Sequence, residues 1–247
     1  MDKRLKLAFA AMLLASLACT LPFDFTFGNG GPLTRGSGNE VTLTPNVSGF
    51  DSLDINHAFE VDIIQSQTYS LAIEVDDNIE QYLIVDDSGG TLVLGLEDGR
   101  TYTDVTLKAQ ISMPELLALE LSGASDAKFT QFESSDPFDL KASGASAASG
   151  DIEAGDVTIK LSGASDVQLE GEGRDLLLDA SGASRVDLEE FEVEDATLDL
   201  SGASDVTVSV NGVLNVSASG ASDVTYFGNP KLGDIETSGA SSIQSGN

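Results

Sequence analysis

The tetrapeptide Ser-Gly-Ala-Ser recurs seven times in the second half of this 247-residue chain, starting at Ser122, Ser143, Ser162, Ser181, Ser201, Ser219 and Ser238. The intervals are 21, 19, 19, 20, 18 and 19 residues. So short a period, without a helical pattern, restricts the chain to stacked strand units, none of which can close a core alone.

The flanks identify the unit. Three residues before each tetrapeptide stand Leu119, Leu140, Ile159, Leu178, Leu198, Val216 and Ile235, all aliphatic. The next position is polar in every copy (Glu120, Lys141, Lys160, Asp179, Asp199, Ser217, Glu236), and the one after is mostly apolar. Beyond the turn the alternation resumes, as in Val167 and Leu169, Val186 and Leu188, or Val206 and Val208. Period-two alternation on both sides of a turn means two strands with one face inward. The expected fold is therefore all-β: a right-handed parallel β-helix with coils of about 19 residues and an irregular β start. At a spacing of about 4.8 Å, six complete coils span about 29 Å. In the turns, Gly123, Gly144, Gly163, Gly182, Gly202, Gly220 and Gly239 supply positive φ, and the small Ser and Ala neighbours stack tightly at a corner. These serines read as structural rather than catalytic, with hydroxyls able to bond along the axis.

The residue after each tetrapeptide is Asp126, Ala147, Asp166, Arg185, Asp205, Asp223 or Ser242. Like charges 4.8 Å apart repel by about 0.9 kcal/mol in bulk water and about 3.5 at an effective dielectric of 20. Arg185 between Asp166 and Asp205 relieves that repulsion. A calcium-binding repeat is an alternative, but it calls for a nine-residue period with paired glycines, and Arg185 would sit within its cation row.

The N-terminus reads as an address. Lys3, Arg4 and Lys6 precede an apolar run from Leu7 to Ala18, too short to span a bilayer. It ends at Cys19, the single cysteine, in a context resembling a bacterial lipobox. The expected organisation is a signal peptide over 1–18, a lipid-bearing Cys19 with a tether to residue 40, an N-terminal β part over 41–121 and the repeats over 122–247. Phe23, Phe25 and Phe27 in the tether could dock back as a first strand.

Charge and composition exclude several functions. With 12 Lys+Arg against 41 Asp+Glu the net charge is −29, which repels phosphate backbones, so no nucleic-acid partner is expected. One Cys and one His (His57) exclude a Cys-based zinc site or a multi-His centre, and no cofactor or metal is expected. His57 reads as a surface or turn residue rather than a base.

Residues 41–121 also alternate with period two, at Phe59, Val61 and Ile63 and again at Tyr69, Leu71, Ile73 and Val75. Asp76-Asp77-Asn78-Ile79-Glu80 could cap a short helical turn. This half is expected to close the N-terminal end of the solenoid, which would otherwise expose strand edges and core.

Several features, taken in order, resemble the putative auto-transporter adhesin, head GIN domain family of bacterial secreted and surface proteins. They are Gly36-Ser37-Gly38, then Gly49-Phe50-Asp51-Ser52-Leu53 leading into Ala58-Phe59-Glu60-Val61, then Tyr69-Ser70-Leu71 with Asp76-Asp77-Asn78. Gly90-Thr91-Leu92, Pro114-Glu115-Leu116 and the Ser-Gly-Ala-Ser turns complete the set, over roughly residues 36–245. The resemblance implies an all-β solenoid outside the cytoplasm and brings no catalytic residues with it.

The functional expectation is a non-enzymatic, envelope-anchored surface lipoprotein whose solenoid binds or adheres to a protein or glycan. Envelope-stress sensing is one alternative. A polysaccharide-active enzyme is another, with Asp86-Asp87 or Glu189-Glu190 as nominal carboxylates. Coils this short leave no room for cleft-building loops, and fold analogy is a poor warrant for chemistry. End-to-end homo-oligomers, built at the C-terminal end, stay open.

Overall fold

The computed structural model describes residues 31–246. The expected signal peptide, Cys19 and the Phe23–Phe27 segment lie outside the described residues.

The chain opens with β1 (Leu33–Arg35) and β2 (Glu40–Leu43), then β3 (Ser52–Ile55), β4 (Glu60–Gln65) and β5 (Ser70–Asp76). A 3-10 turn at Glu80–Tyr82 leads to β6 (Leu83–Asp86), β7 (Thr91–Leu96), β8 (Thr101–Thr103) and β9 (Leu107–Met113). The repeats begin with β10 (Ala118–Leu121), β11 (Asp126–Glu133), β12 (Phe138–Ala142) and β13 (Ala147–Glu153). They continue with β14 (Val157–Leu161), β15 (Asp166–Glu172), β16 (Asp175–Ala180), β17 (Arg185–Val193) and β18 (Asp195–Leu200). The last are β19 (Asp205–Val210), β20 (Val213–Ala218), β21 (Asp223–Phe227), β22 (Lys231–Thr237) and β23 (Ser242–Ser245).

These strands build a solenoid with two main faces. The ten-stranded sheet I runs β22-β20-β18-β16-β14-β12-β10-β3-β7-β6, and the eleven-stranded sheet II runs β2-β5-β9-β4-β11-β13-β15-β17-β19-β21-β23. From β10 to β22 the chain makes six full turns, each adding one parallel strand to either sheet. Residues one period apart stand in register: Leu119, Leu140, Ile159, Leu178, Leu198 and Val216 form one buried column. Val167, Val186, Val206 and Val224 form another in sheet II. The core is thus a set of aliphatic ladders, as the alternation requires.

Below β10 the chain order is broken. β3 and β4 lie between the repeats and the later strands β7 and β9. The chain therefore lays down an inner coil first, travels to the end, and returns to start the repeats beside β3. At that end β5 pairs antiparallel with β9, β2 with β5, and β6 with β7. Antiparallel strands need only short connections, so they can fold back over an end where another parallel coil would leave open edges.

One buried carboxylate holds the entry segment down. Asp76 is fully buried, and its two oxygens accept the N–H groups of Gly38 (2.6 Å) and Thr106 (2.7 Å). The Ser37 hydroxyl donates to Asp77 at 2.6 Å, and the Asn78 amide donates to the Arg35 carbonyl while accepting the Ser37 N–H. Gly36-Ser37-Gly38 and Asp76-Asp77-Asn78, two separate stretches of the sequence, are one hydrogen-bonded unit.

The Ser-Gly-Ala-Ser turns form a continuous corner. From the second turn on, each Ala N–H donates to the Gly carbonyl of the preceding coil, as from Ala145 to Gly123 (2.8 Å) and Ala183 to Gly163 (2.7 Å). The glycines have φ between 75° and 85°. They are also stacked too closely for a side chain: a Cβ on Gly182 would lie 2.3 Å from the Gly163 oxygen. In the first six turns the last serine is buried, and its hydroxyl donates to the carbonyl of the first serine of the same turn, 2.8 Å from Ser146 to Ser143 and 2.9 Å from Ser184 to Ser181. Hydroxyls also bond along the axis: first serines donate to backbone carbonyls one coil back, as from Ser181 to Leu161 (3.2 Å), and the Ser222 and Ser241 hydroxyls accept the N–H groups of Ser204 (3.4 Å) and Ser222 (3.2 Å).

Candidate binding face

Among the described residues, sheet II presents a long outer face with no loop over it, because each corner is only a few residues long. Its first outward column is Lys108, Glu60, Asp126, Ala147, Asp166, Arg185, Asp205, Asp223 and Ser242. Arg185 does stand between Asp166 and Asp205, yet it is not among the ion pairs of the described residues. It relieves repulsion by placement in the row rather than by a direct contact.

The second outward column is Gln110, Asp62, Lys128, Ser149, Gln168, Asp187, Thr207, Thr225 and Gln244. Most members are neutral hydrogen-bonding groups, repeated at the strand spacing of about 4.8 Å. Gln244 donates along the column to Thr225 at 3.3 Å.

Three adjoining concavities lie in this face, of about 470, 430 and 360 Å³. The first two share Asp62, Ala72 and Gln110, and the second and third share Lys128 and Thr130. Together they make a shallow trough from β2 across to β15. Its small outward residues, Ala72, Ser112 and Ser149, are what lower the surface there. Charges stand among them. Hydrogen bonding to Glu40, and that group's negative charge, push the Glu74 carboxyl above its ordinary range, while Lys108 pulls it back.

The opposite face carries charges as well. Lys141 and Lys160 are adjacent in register, with Lys141 paired to Glu120 at 3.4 Å and Asp179 beyond Lys160. Burial and the charge of Glu120 raise the Asp54 carboxyl above its usual range, and Asn56 and Lys141 work against that shift.

The structure does not bring the nominal catalytic carboxylates together. Asp86 and Asp87 flank a turn at the end of sheet I, where Asp86 accepts the Ser88 N–H and Asp87 accepts the Ser48 N–H, each at 2.9 Å. Glu189 and Glu190 are exposed on β17 in sheet II, where the register shifts between Leu188 and Glu192. Among the described residues no three His, Cys, Asp or Glu side chains gather as a metal site. His57 is a turn residue, accepting the Leu96 N–H at Nδ1 (3.3 Å).

Sequence reasoning placed the first outward column from Asp126 to Ser242 but neither the second column nor the trough. That depends on the antiparallel joining of β5 to β9, which alternation does not report. The available signal was the small and polar series Ser70, Ala72 and Glu74 between the buried Leu71, Ile73 and Val75.

The fold recurs in solved structures. A putative adhesin from Bacteroides fragilis superposes with a TM-score of 0.80 at 20% identity, over 86% of this chain and 99% of that one. A putative lipid binding protein from Parabacteroides distasonis gives 0.70 at 14% identity, over 87% and 100%. A putative adhesin from Parabacteroides merdae gives 0.67 at 13%, over 88% and 100%. No curated protein matches the chain. The family described as putative auto-transporter adhesin, head GIN domain matches residues 49–230, from the segment before β3 to the end of β21, and the chain belongs to that family.

Proposed function

We propose that the protein is a non-enzymatic surface scaffold of the bacterial envelope, exported and held by a lipid on Cys19. It binds an extended polar ligand along the outer face of sheet II. The observation that carries this reading is the trough: three adjoining concavities, unobstructed by loops among the described residues and lined by hydrogen-bonding side chains at a regular spacing. A neutral oligosaccharide, extended and rich in hydroxyls, matches that chemistry, whereas a polyanion meets the repulsion of a chain with a net charge of −29. Family membership and the adhesin-like structural relatives agree with a surface role.

The test uses the exported chain carrying Cys19→Ser against bacterial-envelope and extracellular polysaccharides. Retention and new reducing ends are read in the same tubes. Retention without cleavage, lost on Gln110→Ala/Gln168→Ala, is the expected result. Cleavage overturns the non-enzymatic reading, and absence of retention across neutral glycans overturns the ligand class in favour of protein partners or envelope sensing.

A further inference from the structure

The two ends of the solenoid differ. The first is closed by the antiparallel strands β2, β5 and β6, whereas β22 and β23 have no strand on their outer side among the described residues. Every residue of β22 is exposed. Its inner edge pairs with β20 through a register shift that sets Leu232 against Leu214 and Ile235 against Val216. Leu214 and Val216 are buried, so the shift turns both Leu232 and Ile235 toward the core side although three positions separate them. With no coil above among the described residues, they remain 48% and 39% exposed. Lys231 and Glu236 stand next to them, in register with Val213 and Ser217.

This strand is complementary to itself. An antiparallel pairing about a two-fold axis between Gly233 and Asp234 sets Lys231 opposite the partner's Glu236 and Leu232 opposite the partner's Ile235. Each Asp234 then faces the partner's Gly233 rather than the partner's Asp234, so like charges are not directly opposed. We propose that the open edge of β22 is an interface with a second copy of this chain, joining two solenoids end to end so that the exposed aliphatic residues complete a shared core. Two-fold pairing places residue 31 of each copy at the far ends of the joined stack. The inference goes beyond ligand binding in the trough and does not depend on it.

Sedimentation velocity on the full chain carrying Cys19→Ser tests the pairing, with glycan retention measured in parallel. A dimer is expected. Lys231→Glu alone and Glu236→Lys alone should each weaken it about tenfold, and the double exchange should restore it to within about threefold. Ile235→Lys should give a monomer with an unchanged β-sheet circular dichroism spectrum. A parent chain that is monomeric at about 100 µM overturns the proposal, as does a dimer indifferent to both charge variants.

Discussion

His57 holds, at φ 71°, the backbone position that Gly123 takes one coil further on, and its carbonyl accepts the Ala124 N–H at 2.6 Å. Ile55 pairs with Leu121 and Glu60 with Asp126, so Asn56-His57-Ala58-Phe59 is an eighth copy of the corner, without the tetrapeptide. Left-handed backbone costs a residue with a Cβ about 1 kcal/mol relative to glycine. His57 offsets part of this through its bond with the Leu96 N–H and an edge contact with Tyr102. His57→Ala removes both contacts and keeps the strain, so we expect it to destabilise by about 1–2 kcal/mol. His57→Gly should be more stable than His57→Ala by about 1 kcal/mol, as chemical denaturation would show.

The glycine column predicts a contrast between two substitutions with similar φ. Gly182→Ala puts a Cβ 2.3 Å from the Gly163 oxygen at φ 85°, while Gly89→Ala at φ 73° meets nothing within 4 Å. The first should cost about 3 kcal/mol or more, the second about 1. Equal losses in urea unfolding would mean that backbone conformation alone, and not the stacking of coils, selects glycine.

The repeats were readable because their physics is local. Alternation fixed which side of each strand is buried, and the recurring tetrapeptide fixed the register, so the column from Leu119 to Val216 could be written down in advance. The order β10-β3-β7 could not. It depends on β3 pairing with two strands far along the chain, and nothing in Ser52–Ile55 names its neighbours. For the same reason the corner at His57 was hidden: what repeats there is the six-residue spacing from Ile55 to Val61, matching Leu121 to Ala127, and not the residue types. The trough was hidden with it, since its first third is built where β5 turns back against β9.

The carboxylate of Asp76 gives a third prediction. It accepts two backbone N–H groups, from Gly38 and Thr106, in a fully buried position. Asp76→Asn keeps the shape but turns an amide NH₂ toward one of those donors. A loss of about 2–4 kcal/mol is expected, because a buried donor is left without an acceptor. Amide exchange should accelerate first at Gly38 and Thr106. Unchanged protection at both would contradict the clamp.

Glu74 gives a pH prediction. Its carboxyl is raised from an ordinary value of 4.5 by hydrogen bonding to Glu40 and by that group's charge. A carboxyl raised in the folded state favours folding at low pH, and that contribution is lost as pH rises through the folded value. Glu74→Gln should therefore melt at a higher temperature than the parent at pH 7, with the difference closing as pH falls through the raised folded value and gone below about 4.5. A difference that is constant from pH 7 to pH 4 would show that the repulsion is absent.

Surface display on the producing bacterium tests the central claim most directly. Intact cells would be treated with a protease too large to cross the outer barrier, and the solenoid followed by immunoblot, for the parent chain and for Cys19→Ser. The account predicts that the parent's solenoid is reached on intact cells and that Cys19→Ser moves it into the medium. A solenoid protected on intact cells but cleaved after lysis would contradict a surface adhesive role and place the trough's ligand inside the envelope.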